Sequence, residues 1–307
     1  MHSLRASPVF SLVVLVTLAL FGLVGVVLLQ PELIRGLLGQ NMVAHISQHF
    51  RDPHHRVHDL TFSFLVGTAG VGMLAQLRTP SKKVAGQLMA LIPWGALVLT
   101  SALTNRWVFA PLPIFAALTL LATILHPTSG DLFGSFSVSR VNRVMLALVI
   151  IAAVPLLAFA STNIGLQRTV TNDHAALGHY GFMAAFSFTV IGASLLASLR
   201  PDGWWLSAWV AGLLPALLGL ASLVFRGLDS SLGLTWGLAA IAWGVAFVAA
   251  AEFRRGGRTY PGRTGPRGST TSTPRWVYPF GIIAIVLALL FVILHLTGGG
   301  LRPHTPP

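Results

Sequence analysis

The chain has 307 residues, of which 54% are hydrophobic and only 9% charged, with a mean hydropathy of +0.76. A soluble globular domain carries about 25% charged residues, so this composition cannot cover a water-facing surface and specifies an integral membrane protein. The net charge of +12 suits loop arginines facing anionic lipid, with no basic–aromatic pattern for nucleic acid, and the lack of cysteine excludes disulfides, Fe–S clusters, thiolate metal sites and thiol nucleophiles.

A helix needs roughly 20 apolar residues to cross a bilayer core. Nine segments qualify: 9–29, 55–77, 84–104, 107–125, 143–161, 176–199, 204–225, 231–251 and 276–295. The expected fold is therefore all-α and polytopic, with about nine transmembrane helices. The first segment follows Arg5 like a signal peptide. It is longer than a signal h-region and ends in "QPELIRG" without a small-residue cleavage site, so it is expected to stay in the mature protein.

Residues 35–58 interrupt the apolar pattern. Leu38, Met42, Ile46 and Phe50 recur every four residues, as in an amphipathic helix lying at the membrane surface. His45 and His49 flank that stripe at i,i+4. Asp52 and Pro53 read as the cap and first position of the second helix. His54 and His58 then stand at i,i+4 and His55 and His58 at i,i+3, each pair on one face.

The second half repeats this more thinly. "FSFLV" (62–66) matches "FSFTV" (186–190), Arg78 matches Arg200, and Pro93 matches Pro215. A proline inside a helix kinks it, so a matched pair of kinks points to a duplication. The expected layout is a first four-helix repeat (1–126), a linker (127–142) and a second repeat (143–252). A basic disordered loop (253–275) and a ninth helix with its tail (276–307) complete the chain. "TNDHAALGHYGF" (171–182) starts the sixth helix with His174 and His179. Both repeats thus put histidines at the start of their second helix.

Most Lys and Arg fall on the side of the N-terminus, which the positive-inside rule makes cytoplasmic. The expected setting is a cell (inner) membrane, N-terminus inside and C-terminus outside, with lipids and other membrane subunits as partners and no nucleic acid. The histidine-rich segments then face outward.

Neutral imidazole binds Zn, Cu and Fe, and paired histidines hold heme b. The expected cofactor is a heme b or a Cu, Zn or Fe ion, in a redox or metal-handling role. The residues expected to bind it are His55, His58 and His179, within a wider metal set of His45, His49, His54, His55, His58, His174 and His179. Asp59 and Asp173 are candidates for a supporting shell. Two alternatives compete: a scaffold, assembly factor or permease-like subunit with no cofactor, and a hydrolase using histidine with Asp52 or Asp59. No span carries a charge near its centre, which argues against a proton-driven pump.

Two fused four-helix halves at this length resemble the architecture of heme A synthase, with histidines on helices 2, 4, 6 and 8. Here the fourth helix offers only His126, at its cytoplasmic end, and the eighth offers none. "HISQH" (45–49) has the form of a first box of membrane di-iron desaturases, but "HHRVH" (54–58) reverses the later boxes. Neither family is assigned.

Overall fold

The computed structural model describes residues 7–29 and 52–256, together with Gly36 and Gln40. Packing separates residues 1–253 from 254–307, and the first of these units holds the helical bundle. Among the described residues the nine α-helices, in chain order, are α1 (Pro8–Leu29), α2 (Arg56–Ala75), α3 (Val84–Thr104), α4 (Leu112–Ile124), α5 (Arg143–Thr169), α6 (Asp173–Ala176), α7 (His179–Leu199), α8 (Trp204–Val224) and α9 (Gly233–Gly256). No strand occurs among the described residues. Seven of these helices are long and apolar enough to cross a membrane.

Local signals start the helices where the side chains can satisfy free backbone N–H groups. Ser7 Oγ accepts from Phe10 N at 3.1 Å ahead of Pro8, whose missing N–H costs nothing at a first position. Asn142 Oδ1 accepts from Val144 N and Met145 N at 3.1 and 3.3 Å and opens α5. Asp52 departs from the expected helix cap. Its Oδ1 accepts from His54 N at 2.9 Å and fixes a 3-10 turn, Pro53–His55, so that α2 itself begins at Arg56.

The helices form two shells. In α2, α3, α7 and α8, 50 to 72% of the membrane-length window is buried, with α7 the most enclosed. In α1, α5 and α9 the share is 17 to 22%, and outward residues such as Ile150, Ile151 and Val154 are bare apolar surface. A lipid solvent leaves such side chains stable where water would not. Close packing depends on paired glycines. A Cβ at Gly72 would meet Gly86 O, one at Gly219 would meet Gly237 O, and one at Gly244 would meet Gly212 O. Backbone contact of this kind lets helices approach without side chains between them.

Two expected spans differ from the structure. The expected span 107–125 contains a helix of only 13 residues, α4, which at 1.5 Å per residue reaches about 20 Å of a core about 30 Å thick. Residues 105–111 approach it irregularly, because Asn105 is left-handed and Pro111 and Pro113 cannot donate to an earlier turn. The expected span 143–161 runs on to Thr169 through Pro155. His45 and His49, the surface helix that carries them, most of the loop 253–275 and the ninth helix 276–295 lie outside the described residues.

Candidate metal centre

Four elements bring histidines together at one end of the bundle. The 3-10 turn before α2 carries His55, and the first turn of α2 carries His58. The short α6 carries His174, and α7 begins at His179. The two pairs lie more than 100 residues apart in sequence, yet each ring of the first pair packs against both rings of the second. Ring centroids are 4.9 Å apart for His55 with both His174 and His179, 4.8 Å for His58 with the same two, and 5.3 Å for His174 with His179. All four side chains are buried.

One ligand nitrogen from each of His55, His174 and His179 lies within 4.8 Å of the other two. His174 Nδ1 and His179 Nδ1 are 3.1 Å apart. Two nitrogens bonded to one ion at about 2 Å with a tetrahedral angle stand about 3.3 Å apart, so this edge is close to ready for a metal.

The turn from α6 into α7 is held by its surroundings. Asn172 Oδ1 accepts from Ala175 N at 3.0 Å, and Asn172 Nδ2 donates to Tyr180 Oη at 3.1 Å. From α5, the buried Gln167 donates to Ala175 O at 2.6 Å and accepts from Gly181 N at 3.0 Å, bracketing the turn. Gly178 sits at φ +78° between the two histidines, and any Cβ there would strike Val108 O. Only glycine meets both demands without strain.

Of the residues expected from sequence, His55, His58, His174 and His179 converge. His54 points outward with a side chain 64% exposed and sits 3.8 Å from Asp229 Oδ2. Asp52 lies at the rim, its carboxyl held below the usual carboxylate range by the His54 N–H and, more weakly, by the adjacent histidines. Asp173 is exposed at the start of α6 and Asp59 is half-exposed on α2. The carboxylate set against the cluster is instead Asp229, whose Oδ2 lies 3.2 Å from His174 Nε2. Its neighbour Ser230 places Oγ 2.6 Å from His58 Nε2. Both belong to the α8–α9 loop, which carries no motif in the sequence. The available signal was that Asp229 is one of only eight acidic residues and falls at the histidine end of the helix order.

The remaining described histidine, His126, is buried at the opposite end. Its Nδ1 accepts from Thr128 N at 3.2 Å and its Nε2 faces Gln76 Oε1 at 3.2 Å. Burial holds this imidazole below its ordinary pKa. It is a packing residue of α4's end, far along the helices from the cluster.

The described chain is thus an all-helical protein with seven membrane-length helices and a buried histidine triad that could hold a metal ion. Compared with protein-family models, curated proteins and solved structures, it matches none.

Proposed function

We propose that this protein is a multi-pass membrane protein that holds a metal ion at His55, His174 and His179, close to the outer face of the membrane, in a redox or metal-handling role. The observation that carries this reading is the convergence of three buried ligand nitrogens within 4.8 Å, from segments remote in sequence. Burying three imidazoles against one another serves no apolar packing purpose that leucine would not serve better. A shared ion makes their lone pairs useful.

The donor set narrows the ion. Three neutral nitrogens and no sulfur suit Zn, Cu or Fe and disfavour Mg and Ca, which take oxygen. Asp229 on His174 Nε2 supplies the carboxylate that commonly orients a metal-bound histidine. A single ion is favoured over heme b. Rings whose centroids are 4.8 to 5.3 Å apart leave no slot for a macrocycle between them.

The finer architecture supports a site between two repeats. Helices α2 and α3 recur as α7 and α8 with nearly equal lengths, and both α3 and α8 contain a buried proline, Pro93 and Pro215. Ser207 Oγ donates to Ala85 O at 3.4 Å across a separation of 122 residues, the separation that also matches Pro93 to Pro215. Equivalent positions touching is what a pseudo-twofold axis between duplicated halves produces. The basic loops at the opposite end support an outer position for the histidines, by the positive-inside rule.

The test is metal content. Full-length protein purified in detergent should carry about one Zn, Cu or Fe per chain and no Soret band, and His55→Ala or His179→Ala should lower affinity by more than about 100-fold, beyond the loss typical of a supporting residue. Protein that binds no ion in stoichiometric amount, with unchanged behaviour of both variants, would return the chain to the cofactor-free scaffold reading.

A further inference from the structure

Two adjacent residues of the α8–α9 loop reach two different histidines. Asp229 Oδ2 accepts from His174 Nε2 at 3.2 Å, and Ser230 Oγ meets His58 Nε2 at 2.6 Å. Each contact takes the same nitrogen of its ring. A neutral imidazole carries one proton, so a ring donating through Nε2 keeps its lone pair on Nδ1. For His174 that atom is the one 3.1 Å from His179 Nδ1. For His58 it is an atom with no well-formed hydrogen bond, although the ring lies within reach of the His54 backbone, in a side chain that is 0% exposed. Buried polar atoms are nearly always partnered, so an orphan in a ring packed against His174 and His179, outside the three whose nitrogens already converge, calls for a ligand.

The ring positions agree. Four imidazoles around one ion, with bonds of about 2 Å at tetrahedral angles, hold their centroids about 5 Å apart. His58 lies 4.8 Å from His174 and from His179, close to the distances that the triad's own rings keep. The loop is shaped for its task. Ser230 is left-handed at φ +64°, a conformation rare for serine, and Gly227 and Gly233 on either side are also left-handed. Such backbone persists where the surroundings determine it, and here it delivers Oγ to the ring.

Building on the three-histidine reading, we propose that His58 Nδ1 is the fourth ligand of an all-imidazole, four-nitrogen centre, with Asp229 and Ser230 as positioning residues that set the tautomers of His174 and His58. His58 joins the other three by a ring adjustment that the new bond to the ion drives. A centre with four protein ligands is closed. It retains an ion or passes an electron through it, and has no position for water or substrate, unlike the open three-ligand sites of hydrolytic enzymes.

Full-length protein in detergent, loaded with Cu(II) and separately with Co(II), tests this directly. Paramagnetic resonance on the copper form should count four imidazole nitrogens. The cobalt form should show the intense visible bands of a tetrahedral ion, unmoved by azide. His58→Phe should leave three nitrogens, admit azide and weaken binding about 10- to 100-fold; Ser230→Ala should weaken it less, with four nitrogens kept. Three nitrogens and azide binding in the wild type would overturn the fourth ligand while leaving the triad intact. Failure to bind either ion would overturn the triad reading itself. The wild-type nitrogen count stands even if His58→Phe does not fold.

Discussion

At the scale of single residues, the geometry of the histidine cluster depends on groups outside it. Gln167 is the clearest. It spans α5 and the α6–α7 turn, satisfying Ala175 O and the Gly181 N–H, one of the free amide groups in the first turn of α7. Gln167→Leu strands both, at a cost of roughly 1–3 kcal/mol each where water cannot reach. The expected outcome is a lower unfolding temperature and weaker metal binding together, read by thermal denaturation and metal titration. Asp229→Asn separates orientation from folding. Its side chain is 57% exposed, so stability should hardly change, while affinity falls about 10- to 100-fold because His174 loses the partner that fixes its tautomer. His126 gives a pH signature of its own. The unfolded chain takes up this proton near the ordinary value of about 6.5, and the buried imidazole only at lower pH. Between those points the unfolded state binds more protons, so stability falls as pH drops below about 6.5 and does not change through this group above it. His126→Gln, which retains a polar group toward Gln76, should show a smaller loss of unfolding temperature between about pH 7.5 and 5.5 than the wild type. An equal loss would assign the pH dependence to other groups. Of these residues only the histidines were legible in the sequence. Their i,i+3 and i,i+4 spacings at two helix starts form a local pattern. Gln167 reaches 8 and 14 residues into a turn beyond its own helix, Asp229 and Ser230 act across far longer separations, and no local pattern encodes which loop lies over which turn.

At the scale of elements, seven long apolar helices were readable because length and hydropathy alone decide whether a helix can cross a bilayer. The short α4 was not readable. Its segment is apolar throughout, but Pro111 and Pro113 delay the helix, which only backbone hydrogen-bonding rules reveal. Which helices face lipid was also hidden, since α7 and α9 are similarly apolar and differ in what packs on them, with 72% and 22% of their membrane-length windows buried. The contact of α8 with α9 is made by glycine backbones. Gly244→Val would force a side chain into Gly212 O, and overpacking of this kind costs typically 1–3 kcal/mol. Because the loop joining these two helices carries Asp229 and Ser230, the variant should also weaken metal binding, although residue 244 lies away from the histidines along α9. A destabilised protein with full metal affinity would show that the loop holds its position independently of the helices it joins.

At the scale of the whole molecule, segments remote in sequence meet at both ends of the bundle, by devices of different strength. At the end away from the histidines, Ala85 N at the start of α3 donates to Asp202 O at 2.9 Å, and Asp202 also pairs with Arg140 of the connecting segment at 2.9 Å. The ion pair is exposed on both sides, and such pairs contribute no more than about 1 kcal/mol. The histidine end gathers imidazoles from two remote segments, so an ion bound there would crosslink the start of α2 to α6 and α7. An ion that binds the folded state alone stabilises it by about 2.7 kcal/mol at 100 times its dissociation constant. Adding Zn or Cu to chelator-stripped protein should therefore raise the unfolding temperature of the entire bundle in a single transition. Removing a ligand from either half, His55→Ala from the first or His179→Ala from the second, should abolish most of that rise. If the ion instead stabilised a local step and left the main transition in place, the centre would belong to one half alone. A shift lost equally from both sides would make the ion the joint between them, which is the arrangement that four histidine rings gathered from two remote segments imply.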